Sequence, residues 1–124
     1  MLNYIENNYA TYQIVEGILN IRYHIGISIN LPAAVKIVED RLALQQGQSY
    51  PALCDMRGVR EVNKEARDYL AMEGSVLLKA VAFVVEQPIS EAISRFYQFA
   101  NKPPIPTEAF YTTENAKKFL TDYC

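Results

Sequence analysis

The segment ALCDMRGVREVNKEARDYL, residues 52–70, places an acidic side chain, arginines and an amide close behind an apolar run. If the apolar run is a parallel strand, Asp55 lies at its carboxyl end, which is where ligand-binding and regulatory sites are common in open α/β sheets. The following loop is predicted to lead into a helix N-terminus, whose free N–H groups attract anions. The candidates for binding a partner or an anion are Asp55, Arg57, Arg60, Asn63 and Lys64. An alternative stays open, in which Asp55 only caps or braces the start of that helix.

Other residues suited to catalysis are scarce. His24 is the single histidine, and no GxSxG motif supplies a serine nucleophile for it. One histidine and two distant cysteines do not meet the ligand set of a zinc site, and neither GxGxxG nor a Walker-type loop is present. The sequence predicts no catalytic residue, no metal and no cofactor. Carboxylate chemistry is harder to exclude, so a small enzyme that uses Asp55 with a nearby basic residue remains an alternative.

A further set of candidates is aromatic. Phe96, Tyr97 and Phe99 lie close together in a segment with helical periodicity. They make the predicted helix apolar beyond a single stripe, which indicates either deep burial or a partner surface. These three residues are the interface candidates, and they are the strongest indication that the chain forms a homodimer.

The elements that position these residues alternate between strand and helix. Strands are predicted over YATYQIVE (9–16), ILNIRYH (18–24), YPALCDM (50–56), LLKAVAFVV (77–85) and IPTEAFYT (105–112), with GISI (26–29) as a further short extended piece. Helices are predicted over about 31–46, 61–72, 88–102 and 114–122. The order β-β-α-β-α-β-α-β-α implies an α/β fold. Its sheet is mixed and mainly parallel, with an N-terminal antiparallel hairpin, and about four helices flank it.

The core is predicted from the most apolar stretches. YPALCDM and LLKAVAFVV are expected to be neighbouring central strands, buried on both faces. Spacing also predicts which residues of two helices face inward: Val35, Val38 and Leu42 on the first helix, and Ile89, Ile93, Phe96 and Ala100 on the third.

Composition and charge exclude several classes of protein. The chain has 124 residues, of which 50% are apolar and 21% charged, which is typical of one soluble domain over residues 1–124. A net charge of -2 with scattered basic residues gives no electrostatic reason to bind nucleic acid. No apolar run approaches the roughly 18 residues of a transmembrane segment, and the N-terminus lacks the pattern of a signal peptide. A cytoplasmic protein without a disulfide is therefore expected.

Three segments in succession carry a family resemblance: ALCDMRGVREVNKEARDYL, KAVAFVVEQPISEAISRFY and NKPPIPTEAFYTTENAKKFL. From about Tyr12 to Leu120 the chain resembles the STAS domain of the anti-sigma-factor antagonist type. It is more similar still to small stand-alone bacterial proteins of STAS-like, uncharacterised families. The resemblance implies a mixed sheet flanked by helices. In phospho-regulated STAS domains an Asp-Ser pair begins a helix, and a partner kinase phosphorylates the serine. Asn63 and Lys64 stand at those two positions, so the usual phosphoserine switch is expected to be absent.

Together these observations predict a non-enzymatic regulatory or scaffolding module of STAS-like fold. It would bind a protein partner, or a second copy of itself, through residues 57–67 or through the aromatic third helix. The alternative is a small apolar-ligand or lipid carrier similar to the CRAL-TRIO domain, whose sheet is related in architecture. A chain of 124 residues leaves little spare volume for a lipid once its core is packed.

Overall fold

The apolar runs meet in a six-stranded sheet in the computed structural model of the protein, which describes residues 3–124. The strands of this sheet are β1 (Tyr4–Glu6), β2 (Ala10–Val15), β3 (Ile18–Tyr23), β5 (Tyr50–Asp55), β7 (Leu78–Val84) and β8 (Thr107–Phe110). Two further strands, β4 (Ile27–Ile29) and β6 (Val59–Val62), pair separately with each other. The helices are α1 (Leu31–Gln45), α2 (Lys64–Met72), α3 (Ile89–Phe96) and α4 (Thr113–Leu120).

The strand order in the large sheet is β1-β2-β3-β5-β7-β8. Its first three strands are antiparallel, and β3, β5, β7 and β8 run parallel. The β2–β3 hairpin closes through Glu16 and Gly17, both with positive φ, as its two-residue loop favours. The predicted fold class is confirmed: a mixed, mainly parallel sheet with an N-terminal antiparallel hairpin and four helices.

Three short strands go beyond the predicted order. β1 adds an antiparallel strand at the sheet edge, β4 forms within the GISI segment, and β6 pairs in parallel with β4. β6 includes the residues predicted to begin the second helix, so the prediction of a helix from residue 61 is wrong. α2 begins at Lys64, because Asn63 has an extended backbone and its side chain accepts the Ala66 N–H at 2.9 Å.

Helices cover both faces of the central strands. Leu53 of β5 pairs in register with Ala82 of β7, and both contribute to the core beneath α4. The next pair, Cys54 and Phe83, belongs to the larger core on the other face, with residues of α1, α2 and α3. The expectation of two neighbouring strands buried on both faces is confirmed.

Helix α1 turns only part of the predicted face to the core, with Val38 buried as predicted. Its buried residues include Ile37, Val38, Arg41 and Gln45, whereas Val35 is 37% exposed. The buried face continues at helical spacing through two polar residues, which hydrogen-bond to each other at 2.6 Å. The prediction that Val35 faces inward is therefore wrong, and a charged residue lies in the core instead.

Helix α3 also matches the prediction only in part, with Ile93 facing inward as predicted. Ser90, Ile93 and Ser94 lie on its inner side, and Ile89 and Phe96 are exposed. Ser90 anchors the start of the helix, because its Oγ accepts the Glu86 N–H at 2.8 Å and donates to the Glu86 carbonyl oxygen at 3.0 Å. The two serines occupy inner positions beside Ile93, and the predictions that Ile89 and Phe96 face inward are wrong. Ala100, also predicted to face inward, is exposed in the π-helical turn Tyr97–Asn101 that extends the helix.

Two expectations from composition can be compared with the structure. Cys54 is buried, Cys124 is exposed, and both are free thiols. Within residues 3–124, no helix combines the length and the apolar character that crossing a membrane requires.

Candidate functional site

Asp55, the last residue of β5, forms a bidentate ion pair with Arg57. Arg57 Nε lies 2.9 Å from Asp55 Oδ1, Arg57 Nη2 lies 2.8 Å from Oδ2, and the Arg57 backbone N–H donates to Oδ1 at 3.2 Å. Arg22 on β3 adds a second cation, with Nε 3.9 Å from Oδ2. Paired contacts of this kind fix the orientation of both side chains. Asp55 therefore braces its own loop, while Asn63 caps α2.

Burial and pairing act on the pKa of Asp55 in opposite directions. Its side chain is 13% exposed, and this desolvation tends to raise the pKa. The hydrogen bonds from Arg57 and the charges of Arg57 and Arg22 outweigh the desolvation, so the pKa lies below its ordinary value. The carboxylate is ionised at neutral pH and holds Arg57 in place.

We expect Asp55 to stabilise the fold only while it is ionised. The pKa of Asp55 is lower in the folded chain than the value of about 3.9 expected in the unfolded chain. Its contribution to the free energy of unfolding is therefore complete above the unfolded pKa and is lost as the pH falls through the folded pKa. Urea denaturation should show Asp55→Asn to be less stable than wild type by about 1 kcal/mol near pH 7. The difference should shrink towards about pH 2. A difference that does not change with pH would contradict this ion pair.

The loop between β3 and β4 presents Ile25 beside the ion pair. Ile25 is 94% exposed, but its backbone is held against the loop that follows β5. The Gly26 N–H donates to the Gly58 carbonyl oxygen at 2.6 Å. A Cβ on Gly58 would lie only 2.6 Å from Ile25 Cα, so the close approach of the two loops requires glycine at this position.

Replacing Gly58 with alanine should disturb the contact between the two loops, because the new Cβ would overlap the Ile25 backbone. We expect the free energy of unfolding to fall by about 1–3 kcal/mol, with NMR shift changes centred on Ile25. Gly74→Ala is the matched control, since a Cβ there meets the Leu70 side chain at 3.4 Å. Equal effects of the two substitutions would show that the loops do not touch.

Two of the hollows at this carboxyl edge are lined by both Ile25 and Arg57. The hollow of about 400 Å³ also includes Asp55. The hollow of about 250 Å³ includes Arg60 on β6 and the exposed Ile89 at the start of α3. The edge therefore combines apolar and basic groups on three different segments of the chain.

Asn63 and Lys64 are separated from this edge by β6. Asn63 caps α2, and Lys64 Nζ lies 2.8 Å from a carboxylate oxygen of Asp68 one turn along the exposed face of α2. Both side chains are therefore engaged at the helix start. Of the five predicted residues, the structure brings the first three together at the carboxyl edge, and these two lie outside the hollows there.

The aromatic candidates on the third helix separate into two environments. Phe99 is 77% exposed, and Phe96 is exposed beneath the Arg67 guanidinium, whose Cζ lies 4.7 Å from the ring centroid. Tyr97 turns inward and packs edge-on against Phe83, with ring centroids 5.8 Å apart. The structure thus leaves Phe96 and Phe99 on the surface and places Tyr97 in the core.

Sequence reasoning missed the most unusual buried group, Arg41 on α1. It is 2% exposed and lines a cavity of about 80 Å³ between the sheet and helices α1, α2 and α3. Its guanidinium donates to Gln45 Oε1 and to the carbonyl oxygens of Gly74 and Val76. A signal was present, because Arg41 and Gln45 continue the helical spacing of Ile37 and Val38.

The described residues contain no group of three or more His, Cys, Asp or Glu side chains arranged to hold a metal ion. His24 lies at the surface end of the hairpin, with Nδ1 3.2 Å from the Asn8 carbonyl oxygen and Nε2 3.5 Å from a Glu6 carboxylate oxygen. These contacts account for both of its ring nitrogens.

The sheet, with helices on both faces, places this protein in a class of α/β domains with a SpoIIAA-like fold. It is similar to the crystal structure of an uncharacterized protein of the DUF3478 family from Shewanella loihica PV-4, with a TM-score of 0.66. The two share 13% sequence identity, and the match covers 94% of this chain and 98% of that chain. At this identity the similarity shows the fold alone, and that fold is the STAS-like one implied by the sequence resemblance.

The chain itself belongs to the family described as a domain of unknown function, DUF7793, whose sequence profile matches residues 12–124. No curated protein matches the sequence.

Proposed function

We propose that this protein is a non-enzymatic regulatory or scaffolding module that binds a partner protein at the carboxyl edge of its sheet. The observation that supports it best is Ile25, an almost fully exposed apolar residue on a loop with a fixed backbone. Covering an isoleucine is worth roughly 1.5–3 kcal/mol, and a rigid loop loses little entropy on binding. Ile25 therefore has the properties of a central contact residue in a protein interface.

The groups around Ile25 indicate which partner surface would fit. The charged residues that line the two hollows are Arg22, Arg57, Arg60, Asp55 and Glu86. Because Asp55 is already paired with Arg57, basic groups remain in excess. A partner with an apolar pocket rimmed by carboxylates would match this edge in both hydrophobicity and charge.

Two related functions fit this chain less well. A phosphoserine switch would need a serine at the position that Lys64 occupies. The cavity of about 80 Å³ beside Arg41 is smaller than the cavity of about 150 Å³ that holds one benzene molecule, which argues against a lipid carrier. An acyl chain would require far more space.

The test is a comparison of three immobilised proteins in lysate of the source organism: wild type, Ile25→Asp and Met72→Asp. Met72 is also an exposed apolar residue, but it lies at the end of α2, outside the hollows. We expect at least one protein to be retained by wild type and Met72→Asp, and to fall about tenfold or more with Ile25→Asp. Equal retention by all three, or equal loss in both variants, would overturn the proposal. Thermal melts of each variant confirm that it is folded.

A further inference from the structure

The interior cavity has an apolar wall and two arginines. Its apolar lining includes Ile21, Val81 and Phe83 of the sheet, and Arg41 of α1 and Arg67 of α2 supply the positive groups. A largely apolar space of this size would be expected to be filled by side chains or left without charges. Two guanidinium groups at one cavity therefore require an explanation.

Arg41 lacks a negative partner. Among residues 3–124, no carboxylate lies within 4.0 Å of its guanidinium nitrogens, and its three hydrogen bonds go to neutral oxygens. A guanidinium carries five N–H groups, so the Nε–H and one N–H of Nη2 have no acceptor in the described chain. A buried cation without a counter-ion is costly.

No ionisable group of the cavity wall supplies the missing charge. Burial raises the pKa of Cys54 to about 12, so its thiol is neutral at physiological pH. Burial also raises the pKa of Tyr23 and of Tyr97 well clear of neutrality. The carboxylates nearest in sequence, Glu39 and Asp40, pair with Lys36 on the other side of α1. The positive charge at the cavity is thus uncompensated by the described residues.

Arg67 reinforces this imbalance. Its Nη1 donates to the Val62 carbonyl oxygen at 2.9 Å and its guanidinium stacks on Phe96, but its Nε is fully buried and has no hydrogen-bond partner in the part of the chain described. An unpaired buried donor costs more than a hydrogen bond gains. Both cavity arginines therefore have N–H groups without an acceptor.

We propose that this cavity binds a short-chain monocarboxylate, with the carboxylate group on Arg41 and the alkyl tail against the apolar wall. A carboxylate is planar and accepts two hydrogen bonds from one guanidinium edge, which matches the free N–H groups of Nε and Nη2. The volume limits the tail. A cavity of about 80 Å³ is roughly half of the one that holds benzene, so its size favours acetate and propionate over longer chains.

This site is separate from the hollows at the carboxyl edge, although two residues are shared. Tyr23 also lines the hollow of about 400 Å³, and Val59 also lines the hollow of about 250 Å³. Either proposal can fail without the other. Binding of propionate leaves Ile25 exposed, and binding of a partner at the edge does not require the cavity to be filled.

The test is titration of the full chain with propionate and with propionamide, its neutral counterpart, in a buffer free of carboxylates, followed by amide NMR shifts. We expect saturable shifts at Cys54, Phe83 and Tyr97 with a dissociation constant of about 0.1–10 mM for propionate. Propionamide should bind about tenfold or more weakly. Sodium chloride at equal ionic strength should give no such shifts.

Variants keep the test independent of folding. Cys54→Met fills the cavity with a longer apolar side chain, so it should fold, melt at an equal or higher temperature and lose propionate binding. Arg95→Gln removes an exposed arginine from the outer side of α3 and should bind as wild type does. No saturable shift with propionate, equal binding of propionamide, or unchanged binding by Cys54→Met would overturn the proposal.

Discussion

Replacing Arg41 with methionine should lower the free energy of unfolding by about 2–3 kcal/mol. Methionine keeps much of the apolar stem of arginine and removes the guanidinium group. Gln45 Oε1, which is buried, and the carbonyl oxygens of Gly74 and Val76, which are only partly buried, would then lose their donor. Relief from the desolvation of a buried cation offsets part of this loss, which keeps the expected effect below the sum of three lost hydrogen bonds.

Lys36→Met provides the control for this prediction. Lys36 lies on the exposed side of the same helix and pairs with Glu39 and Asp40 at 3.5 and 3.2 Å. Exposed pairs of this kind contribute about 0.3–0.5 kcal/mol. Urea denaturation should therefore show a shift in the unfolding midpoint that is several times larger for Arg41→Met than for Lys36→Met, with the m-value unchanged in both variants. Similar shifts for the two variants would mean that Arg41 is not buried.

Replacing Leu53 with alanine should lower the free energy of unfolding by about 2–5 kcal/mol. Leu53 is buried in the middle of β5, beneath Ala116 and Leu120 of α4. Truncation would remove apolar contacts on the face of the sheet that one short helix covers, and neighbouring alanines on β7 cannot fill the space. The measurement is the urea midpoint at constant m-value.

Val35→Ala is the matched control for Leu53→Ala, because both residues were expected to face inward and the structure separates them. Val35 is 37% exposed on α1, so its truncation removes little buried area. Alanine is also the better helix former. We expect a change within about 0.5 kcal/mol. A loss from Val35→Ala that matches the loss from Leu53→Ala would contradict the orientation of α1.

The strands of the core could be predicted because their signal is local. The consecutive side chains Ala82 and Phe83 face opposite layers of the core, and a strand buried on both faces is expected to be almost wholly apolar. LLKAVAFVV fits this pattern, since Lys79 is its single polar residue. β6 could not be predicted this way. It is four residues long, it contains Arg60 and Glu61, and its partner β4 lies far away in the chain.

The candidate site was only partly predictable for the same reason. Asp55 and Arg57 lie within one loop, so their proximity follows from the sequence. The exposure of Ile25 on a held loop depends on contact between that loop and Gly58. Gly58 is distant in sequence, so the residues next to Ile25 do not predict this contact. Arg41 is not found by an apolar pattern, because a charged residue at a core position interrupts that pattern.

The most direct test of the central claim, that the carboxyl edge contacts a partner, is photo-crosslinking in living cells. A benzophenone amino acid would replace Ile25, Met72 or Phe99 in turn, all of which are exposed. We predict a discrete crosslinked product from the position of Ile25, none from that of Met72, and loss of the Ile25 product when Gly58→Ala is added. Absence of a product at Ile25, or a product only at Phe99, would contradict binding at this edge.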